Sequence, residues 1–440
     1  MTIDASVKNK HETLHRSGGS LPSENHYIHA WIGQLMADAA AVTHKLHPTL
    51  QEFKTFIETD PTIFQLFHQM FGDIPSIPPY HQDPTGQPQV RDYPTMLGVF
   101  NILMKRGPYW MYATEGQKGL VGFPFNAVLA WPMATKAGME AFSRPDVNHH
   151  IRKILNSWAE FLASPASISV LTADSKGWFS QETLNVTSAI PNSFAQAYIC
   201  DPTAKAYGYK SWDDFFTRRF RPGVRPISSP DDASVICNAC ESSPYRVSHS
   251  VALRDEFSIK EQPYSLLDML DNHPFAPQFA GGSVYQAFLS ALSYHRWHAP
   301  VTGTVVKVLH IPGTYFLQNP FEGFANISPT GSPNPDPAAP NNSQAYLCQK
   351  ATRTLIFIKA SDARIGLMAV LLVGMAEVSS CEAFVKEGQR VRKGEEIGTF
   401  HYGGSTHCLM FRPEVKLRFL PKEPFGTANV PVCAAVAVLE

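Results

Sequence analysis

Residues 23–165 carry hydrophobic side chains at intervals of three and four positions, which is the spacing of one face of an α-helix. Three stripes of this kind are present, and the second follows Asp60-Pro61, a pair typical of a helix start. Their members are Tyr27, Ile28, Trp31, Ile32, Leu35 and Met36; Ile63, Phe64, Phe67, Met70 and Phe71; and Val147, Ile151, Ile154, Leu155, Trp158, Phe161 and Leu162. We predict that these helices pack on one another. The alternative is that single aromatic side chains shape a substrate pocket or a dimer surface.

From residue 235 onward the hydrophobic period shifts towards two and turn residues become frequent, as expected of β-strands. Strands are predicted at 301–308, 353–358 and 366–373, and the glycine-punctuated segment 385–400 predicts a hairpin. The chain is therefore predicted to be an α+β protein. A helical N-terminal extension, residues 1–190, would precede a mainly antiparallel β-sandwich or barrel-like domain, residues 191–440.

Three segments follow neither period. Residues 1–22 are polar and are predicted to form a mobile tail. Residues 75–93 are rich in proline and separate the early helices from the later ones. Residues 318–343, rich in Pro, Asn and Gly, are too many for a simple connector. Two interpretations of this last segment stay open, a disordered loop and a lid over a site.

The charge balance excludes some classes of partner. The 440-residue chain has 37 basic and 38 acidic residues, a net charge of −1, and no basic arm that would collect phosphates. We therefore expect no nucleic-acid partner and no strongly anionic membrane. The longest apolar stretch, 365–378, is shorter than the about 20 residues that a membrane helix needs, so no stable membrane insertion is expected.

The compartment is predicted from the first residues and the cysteines. Residues 1–8 lack the apolar core of a secretory signal, which favours a cytoplasmic protein. Seven cysteines, an odd number, fit reduced thiols in that compartment. Cys237 and Cys240 form a Cys-x-x-Cys pair, but a structural zinc site needs a second pair, so no metal is predicted and both are expected in the core.

The candidate chemistry lies at Gly403-Gly404-Ser405-Thr406. A serine hydroxyl is a weak nucleophile unless a base removes its proton, and the nearest carbonyl to attack is that of Gly404. His295 and His298 are three residues apart, so on one helical turn both imidazoles would point to the same side. Glu241 adds a carboxylate, which completes the residue types of a base-activated nucleophile. The alternative for the glycines and the serine is a simple strand turn.

A second notable segment lies at 211–226. Ser211-Trp212-Asp213-Asp214 reads as a capping box that opens a short helix. Four arginines follow, at Arg218, Arg219, Arg221 and Arg225. A basic run of this kind is either a solvated surface or a brace between the helical extension and the sheet.

Three stretches together resemble the phosphatidylserine decarboxylase family: Tyr-His-Arg-Trp-His-Ala-Pro at 294–300, the arginine-rich segment 215–226, and Gly-Ser-Thr at 404–406. They occur in the order of the family, and the resemblance covers about residues 205–440. The chain is most similar to the soluble fungal branch that includes tryptophan decarboxylases. Two positions depart from the phospholipid enzymes, Glu241 in place of an aspartate and Gly403 in place of a leucine.

The resemblance implies a catalytic domain of the phosphatidylserine decarboxylase type and self-cleavage between Gly404 and Ser405. His298 would take the Ser405 proton and Glu241 would orient His298, after which the alkoxide attacks the Gly404 carbonyl. The products would be a β chain, residues 1–404, and an α chain, residues 405–440. The α chain would begin with a pyruvoyl group that condenses with a substrate amine, so no pyridoxal phosphate is expected. His295 would return a proton after decarboxylation.

The resemblance also implies the substrate. A small soluble aromatic amino acid, L-tryptophan converted to tryptamine, is the first interpretation, and a small-molecule substrate and the two cleaved chains are then the expected partners. The second is a phosphatidylserine decarboxylase that makes phosphatidylethanolamine. The third, from a different class, is a non-catalytic β-sandwich binding module in which Ser405 never cleaves the chain.

Overall fold

A computed structural model describes the ranges 25–41, 45–73, 90–109, 111–114, 117–120, 123–174, 177–188, 193–254, 263–290, 292–317, 326–327, 333–334, 343–377, 380–422, 425 and 428–440. The predicted tail at 1–22 lies outside the described residues, as do most of the predicted loops at 75–93 and 318–343. Within the described ranges, every helix is too short or too polar to cross a lipid bilayer.

Helices dominate the first half of the described chain, and two short α-helices lie in its second half. They are α1 (Asn25–Ala41), α2 (Pro48–Thr59), α3 (Pro61–Gly72), α4 (Tyr93–Leu103), α5 (Pro124–Ala134), α6 (Lys136–Ser143), α7 (Pro145–Ala163), α8 (Gln181–Thr187), α9 (Phe194–Ala197), α10 (Trp212–Phe216), α11 (Leu266–Met269) and α12 (Gln344–Lys350). The three predicted stripes fall on α1, α3 and α7 and are largely buried. As predicted, α3 begins at Pro61, and the Asp60 carboxylate accepts the N–H groups of Thr62 and Ile63 at 2.8 and 3.1 Å.

Strands dominate the second half. They are β1 (Met111–Thr114), β2 (Gln117–Leu120), β3 (Val235–Cys237), β4 (Ser243–Ser248), β5 (Ser283–Leu289), β6 (Arg296–His298), β7 (Gly303–Ile311), β8 (Asn326–Ile327), β9 (Pro333–Asn334), β10 (Arg353–Ala360), β11 (Leu367–Met375), β12 (Cys381–Ala383), β13 (Arg390–Val391), β14 (Glu396–Phe400), β15 (Gly404–Phe411), β16 (Leu417–Phe419) and β17 (Ala435–Leu439). The largest sheet has the order β13-β7-β10-β11-β15-β5-β4, and its neighbours pair antiparallel. The predicted α+β class is confirmed.

The large sheet separates two hydrophobic cores. One core joins the helices to one face of the sheet, and it contains Cys408 and Met410 of β15. The other core lies on the opposite face, contains Leu409 and Phe411, and includes side chains of the small sheets β12-β14-β6 and β16-β17-β3. This alternation along β15 is the two-residue period of a strand with both faces buried. Since the first core includes residues from both sides of residue 190, the domain boundary predicted there stays a prediction.

Two local predictions are wrong. Residues 295–298 do not form a helical turn, because Arg296–His298 is the extended strand β6, paired antiparallel with β14. The segment 385–400 is not a hairpin, because β13 pairs with β7 in the large sheet while β14 pairs with β12 and β6. In both places a partner strand distant in sequence overrides the local pattern.

The structure confirms the helix start at Ser211 and the burial of the cysteine pair. The Ser211 hydroxyl accepts the Asp214 N–H at 3.1 Å at the start of α10. Cys237 and Cys240 are buried and reduced. Among the described residues, no cluster of three or more His, Cys, Asp or Glu side chains is placed to hold a metal ion.

The helix start at Ser211 predicts a stability effect. Ser211→Ala removes the acceptor for the Asp214 N–H, so we expect the free energy of unfolding to fall by about 1 kcal/mol, as for other lost helix caps. Urea unfolding followed by circular dichroism measures the change. Ser361→Ala, at an exposed position, is the control. Equal stability of the two variants would contradict a stabilising cap.

Candidate active site

Ser405 lies in the middle of the large sheet, at the start of β15. Its Cα is paired with Gly374 of β11 on one side and with Leu289 of β5 on the other. The residue is fully buried, and its hydroxyl has no hydrogen-bond partner among the described residues. A buried polar atom without a partner is costly, so it marks a position retained for a reason other than stability.

The two residues of the predicted cleavage site face opposite cores. By strand alternation, Ser405 shares a face with Leu409 and Phe411, on the side of the small sheets. Gly404 faces the helices, where a side chain would meet the Phe123 ring at 3.0 Å. Gly403 precedes them with a φ of 142°, a conformation that residues with a side chain rarely adopt. Glycine at position 403, one of the two departures noted above, therefore fits this backbone.

His298, at the end of β6, is held as a neutral base. Its Nδ1 lies 2.7 Å from the Gly394 carbonyl, which can only accept, so Nδ1 carries the proton. Its Nε2 then accepts from the Tyr294 hydroxyl at 2.9 Å. Burial lowers the pKa of His298, and the Gly394 carbonyl opposes part of that effect. The ring therefore presents an unprotonated Nε2 near neutral pH.

Glu241 forms an ion pair with Arg225. The Arg225 guanidinium donates to both carboxylate oxygens, at 2.9 and 2.5 Å, and the Val432 N–H donates to one of them at 2.9 Å. Within the described residues, the hydrogen bond that orients His298 comes from Gly394 rather than from Glu241. The Glu241 charge still acts through space to raise the pKa of His298. Its predicted orienting role stays a prediction.

His295 lies in a drier environment than His298. Its ring stacks on Phe216 with centroids 4.0 Å apart and an interplanar angle of 20°. Neither ring nitrogen has a hydrogen-bond partner of ordinary geometry among the described residues, although the backbone at Ser290 and Ser293 lies near. Burial lowers the pKa of His295 well below its usual value, and the positive charge of Arg218 adds to this. The ring is therefore neutral at rest.

Among the described residues, no direct hydrogen bond joins Ser405, His295, His298 and Glu241 to one another. Trp297 belongs to the core that Ser405 faces, and because side chains alternate along β6, the adjacent His298 ring points to the other side, where it bonds Tyr294 of the helix-side core. Within the described residues, His298 Nε2 bonds Tyr294 and not the Ser405 hydroxyl.

The arginine run braces the site, in line with the second of its two interpretations. Arg218 donates to the backbone carbonyls of Leu292 and Ser293 at 2.7 and 3.2 Å. Its guanidinium also lies 4.6 Å from the centre of the Tyr198 ring, a cation–π contact. Arg218 therefore ties the segment after α10 to the loop that precedes β6, and the Arg225 ion pair ties the same segment to Glu241.

Sequence reasoning left out two groups near the junction, His401 and Glu377. The His401 ring bonds Asp213 at 2.9 Å and Glu382 at 3.0 Å, so it joins α10 to β12. Burial alone would lower the pKa of His401, but Asp213 and then Glu382 outweigh it and raise the pKa to about 8. Glu377 is fully buried beside the junction. In the sequence, Glu377 stands out as the single charged residue of the apolar stretch 365–378.

Comparisons with known proteins identify the family of the chain. Residues 47–186 and 212–425 each match a family model described as phosphatidylserine decarboxylase. The L-tryptophan decarboxylase of Psilocybe cubensis is 36% identical over 427 residues, which cover 92% of this chain and 91% of that protein. Decarboxylase iboD of Amanita muscaria is 40% identical over 301 residues, 68% of this chain and 86% of that protein. A phosphatidylserine decarboxylase proenzyme of Chlamydia trachomatis is 31% identical over 241 residues, 54% of this chain and 72% of that protein.

The fold, the buried serine and these relatives define a decarboxylase, a carbon–carbon lyase. The chain belongs to the phosphatidylserine decarboxylase family, and within it to a fungal branch. The resemblance inferred from the three sequence stretches is thereby confirmed.

The ion pairs of His401 predict a dependence of stability on pH. Because folding raises the pKa of His401 to about 8, its stabilisation is complete below the usual histidine value of about 6.5 and is lost as pH rises through about 8. We expect the melting temperature to fall between pH 6.5 and 8.5 more for the wild type than for His401→Gln. Differential scanning calorimetry measures both, and parallel curves would contradict the assignment.

Proposed function

We propose that this chain is a pyruvoyl-dependent decarboxylase of a soluble aromatic L-amino acid, converting L-tryptophan to tryptamine after cleavage between Gly404 and Ser405. The observation that carries the proposal is the fully buried Ser405 hydroxyl, which has no hydrogen-bond partner among the described residues and adjoins a glycine carbonyl. A hydroxyl so placed is poised to become a nucleophile rather than to stabilise the fold.

His298 is the proposed base for cleavage. Its Nδ1–H is anchored by the Gly394 carbonyl, and its Nε2 holds a lone pair that the Tyr294 hydroxyl occupies at rest. Release of that hydrogen bond would free Nε2 to take the Ser405 proton. The imidazolium so formed would be stabilised by the nearby negative charge of Glu241, which is the role we propose for that carboxylate.

The pyruvoyl group would be made from Ser405 itself, and the residues around it fit such a group. The serine side chain is enclosed, and Gly404 leaves no side chain between the junction and Phe123. When formed, the ketone supplies an electron sink for decarboxylation without pyridoxal phosphate.

His295 is the proposed proton carrier for the substrate. An amino acid arrives as an ammonium ion and must lose a proton before its nitrogen can act as a nucleophile. The neutral ring of His295, buried against Phe216, is suited to accept that proton and to return one to the substrate carbon that has lost carbon dioxide.

The choice of substrate rests on two observations. Two relatives that each match 92% of this chain are named L-tryptophan decarboxylases. In addition, aromatic rings surround the junction: Tyr402 lies 5.1 Å from Trp158, 5.5 Å from Trp212 and 5.3 Å from Phe216, measured between ring centroids. Such rings are suited to recognise an indole by stacking and edge contacts. With its balanced charge and no membrane helix among the described residues, we propose a cytoplasmic enzyme.

A second candidate function is phosphatidylserine decarboxylation. It is favoured by the description of both family models and by the Chlamydia trachomatis relative. The two candidates share the cleavage chemistry and differ in substrate alone, so the experiments below separate them.

Ser405→Ala tests the cleavage. On a denaturing gel, we expect the wild type to yield two chains, residues 1–404 and 405–440, and Ser405→Ala to run as one full-length chain without decarboxylase activity. Mass spectrometry of the small chain identifies its first residue. Ser361→Ala, at an exposed position, is the control and should cleave normally. A full-length wild type that still releases carbon dioxide would disprove the mechanism.

The substrate assay tests specificity. Purified wild type incubated with L-tryptophan should release tryptamine, detected by liquid chromatography, without added pyridoxal phosphate. Activity on phosphatidylserine vesicles but not on tryptophan would instead establish the second candidate. Inactivity on both, with an uncleaved chain, would favour a non-catalytic binding module.

A further inference from the structure

Glu377 is a buried carboxylic acid at the edge of the cleavage site, and the chemistry above does not use it. It is 1% exposed and follows β11, whose last residue, Met375, is the Cα partner of Gly404. Between them, Ala376 has a φ of 52°, in the left-handed region that residues with a side chain seldom adopt. This strained turn ends the strand and directs Glu377 towards the helices.

The start of α5 holds both Glu377 and the cleavage site. The Asn126 N–H, in the first turn of α5, donates to Glu377 Oε1 at 2.9 Å. Phe123, the residue before that helix, is the one that a side chain at Gly404 would meet at 3.0 Å. Glu377 therefore bonds the first turn of α5, and the ring of the residue that precedes this turn lies beside Gly404.

The second carboxyl oxygen of Glu377 differs from the first in its hydrogen bonding. Oε2 has no hydrogen-bond partner among the described residues. Burial raises the pKa of Glu377 to about 8, against the opposing effect of the Asn126 N–H. At neutral pH the group is therefore a neutral acid that holds one O–H donor. This fits its burial, since an isolated buried carboxylate is strongly disfavoured.

We propose that Glu377 is a further catalytic residue of self-cleavage, which donates from Oε2 to the Gly404 carboxylate as that carboxylate leaves. The inference rests on the cleavage proposed above. Glu377 would stabilise the leaving group of the cleavage, whereas His298 would activate the nucleophile.

The proposed cleavage takes two chemical steps. First, Ser405 Oγ gives its proton to His298 and bonds to the Gly404 carbonyl carbon, while the Gly404–Ser405 C–N bond breaks and the nitrogen takes that proton from His298. Next, a base removes the Cα proton of Ser405, a Cα–Cβ double bond forms, and the Cβ–Oγ bond breaks with its electron pair leaving on the Gly404 carboxylate. That new negative charge arises in a dry interior, where one preformed donor is most effective. Glu377 and the new carboxylate would then share one proton, as neighbouring buried acids do.

Other titratable groups lie near Glu377, and their effects on the pH dependence must be distinguished from its own. The Tyr402 hydroxyl interacts with Glu377, and burial followed by the Glu377 charge raises the pKa of Tyr402 well above its usual value, so it stays neutral. His401, the next residue along the chain, pairs with Asp213 and Glu382 and titrates near the same pH as Glu377. His401→Gln is therefore the matched control.

The test follows self-cleavage of newly made chain in a cell-free translation, by a radiolabelled pulse and a chase at pH 6.5 to 9.5. We expect the wild-type rate to fall as pH rises through about 8, because the donor is then lost. Glu377→Gln keeps an N–H donor and should cleave without that fall, and His401→Gln should keep the fall. Glu377→Leu, without a donor, should cleave about 100-fold more slowly at pH 7.

Two results would overturn the inference: an unchanged fall above pH 8 in Glu377→Gln, or a wild-type rate in Glu377→Leu. Circular dichroism at each pH separates loss of cleavage from unfolding, and if Glu377→Leu does not fold, the profile of Glu377→Gln decides alone. A wild-type chain that never cleaves would refute the proposed function itself. Normal wild-type cleavage with unaffected Glu377 variants would refute the role of Glu377 alone.

Discussion

The position of the Gly404–Ser405 peptide at the start of a central, fully paired strand is the constraint on which the rest of the site depends. β11 and β5 flank it on both sides, and the residues on either face of β15 are buried. Bulk water has no access to such a bond, so an external nucleophile is excluded by packing. In the proposed cleavage, the serine next to the bond would be the nucleophile of shortest reach, and the groups that assist it would come from the layers packed on the two faces of the sheet.

The two faces supply different chemistry, and the helical part of the chain belongs to the site. On the face that carries the small sheets lies the Ser405 side chain, by strand alternation with Leu409 and Phe411, and on the helical face Phe123 lies beside Gly404. The Asn126 bond to Glu377 joins positions 251 residues apart. A family match that also covers residues 47–186 accords with this shared arrangement. The helices thus form one wall of the junction.

What the sequence could predict depends on how local each interaction is. The stripes on α1, α3 and α7 were predictable because helical periodicity is read within one element, and the Ser211 cap because its partner is three residues away. The conformation of His295 and His298 was not, because three residues of β6 are extended only through pairing with β14. Glu377 was missed for the same reason: its place depends on a left-handed Ala376 and on a helix from the far end of the chain.

Burial also fixes the resting charges at the junction. Exclusion of water lowers the pKa values of His295 and His298 and raises that of Glu377, so all three are neutral near pH 7. The charged pair Arg225–Glu241 and the charged His401 lie in connecting segments, where each charge has a partner. A neutral junction costs little to bury. In the proposed cleavage, charge would separate only as the serine gives up its proton, and the burial that stabilises the fold at rest would strengthen every donor aimed at that charge.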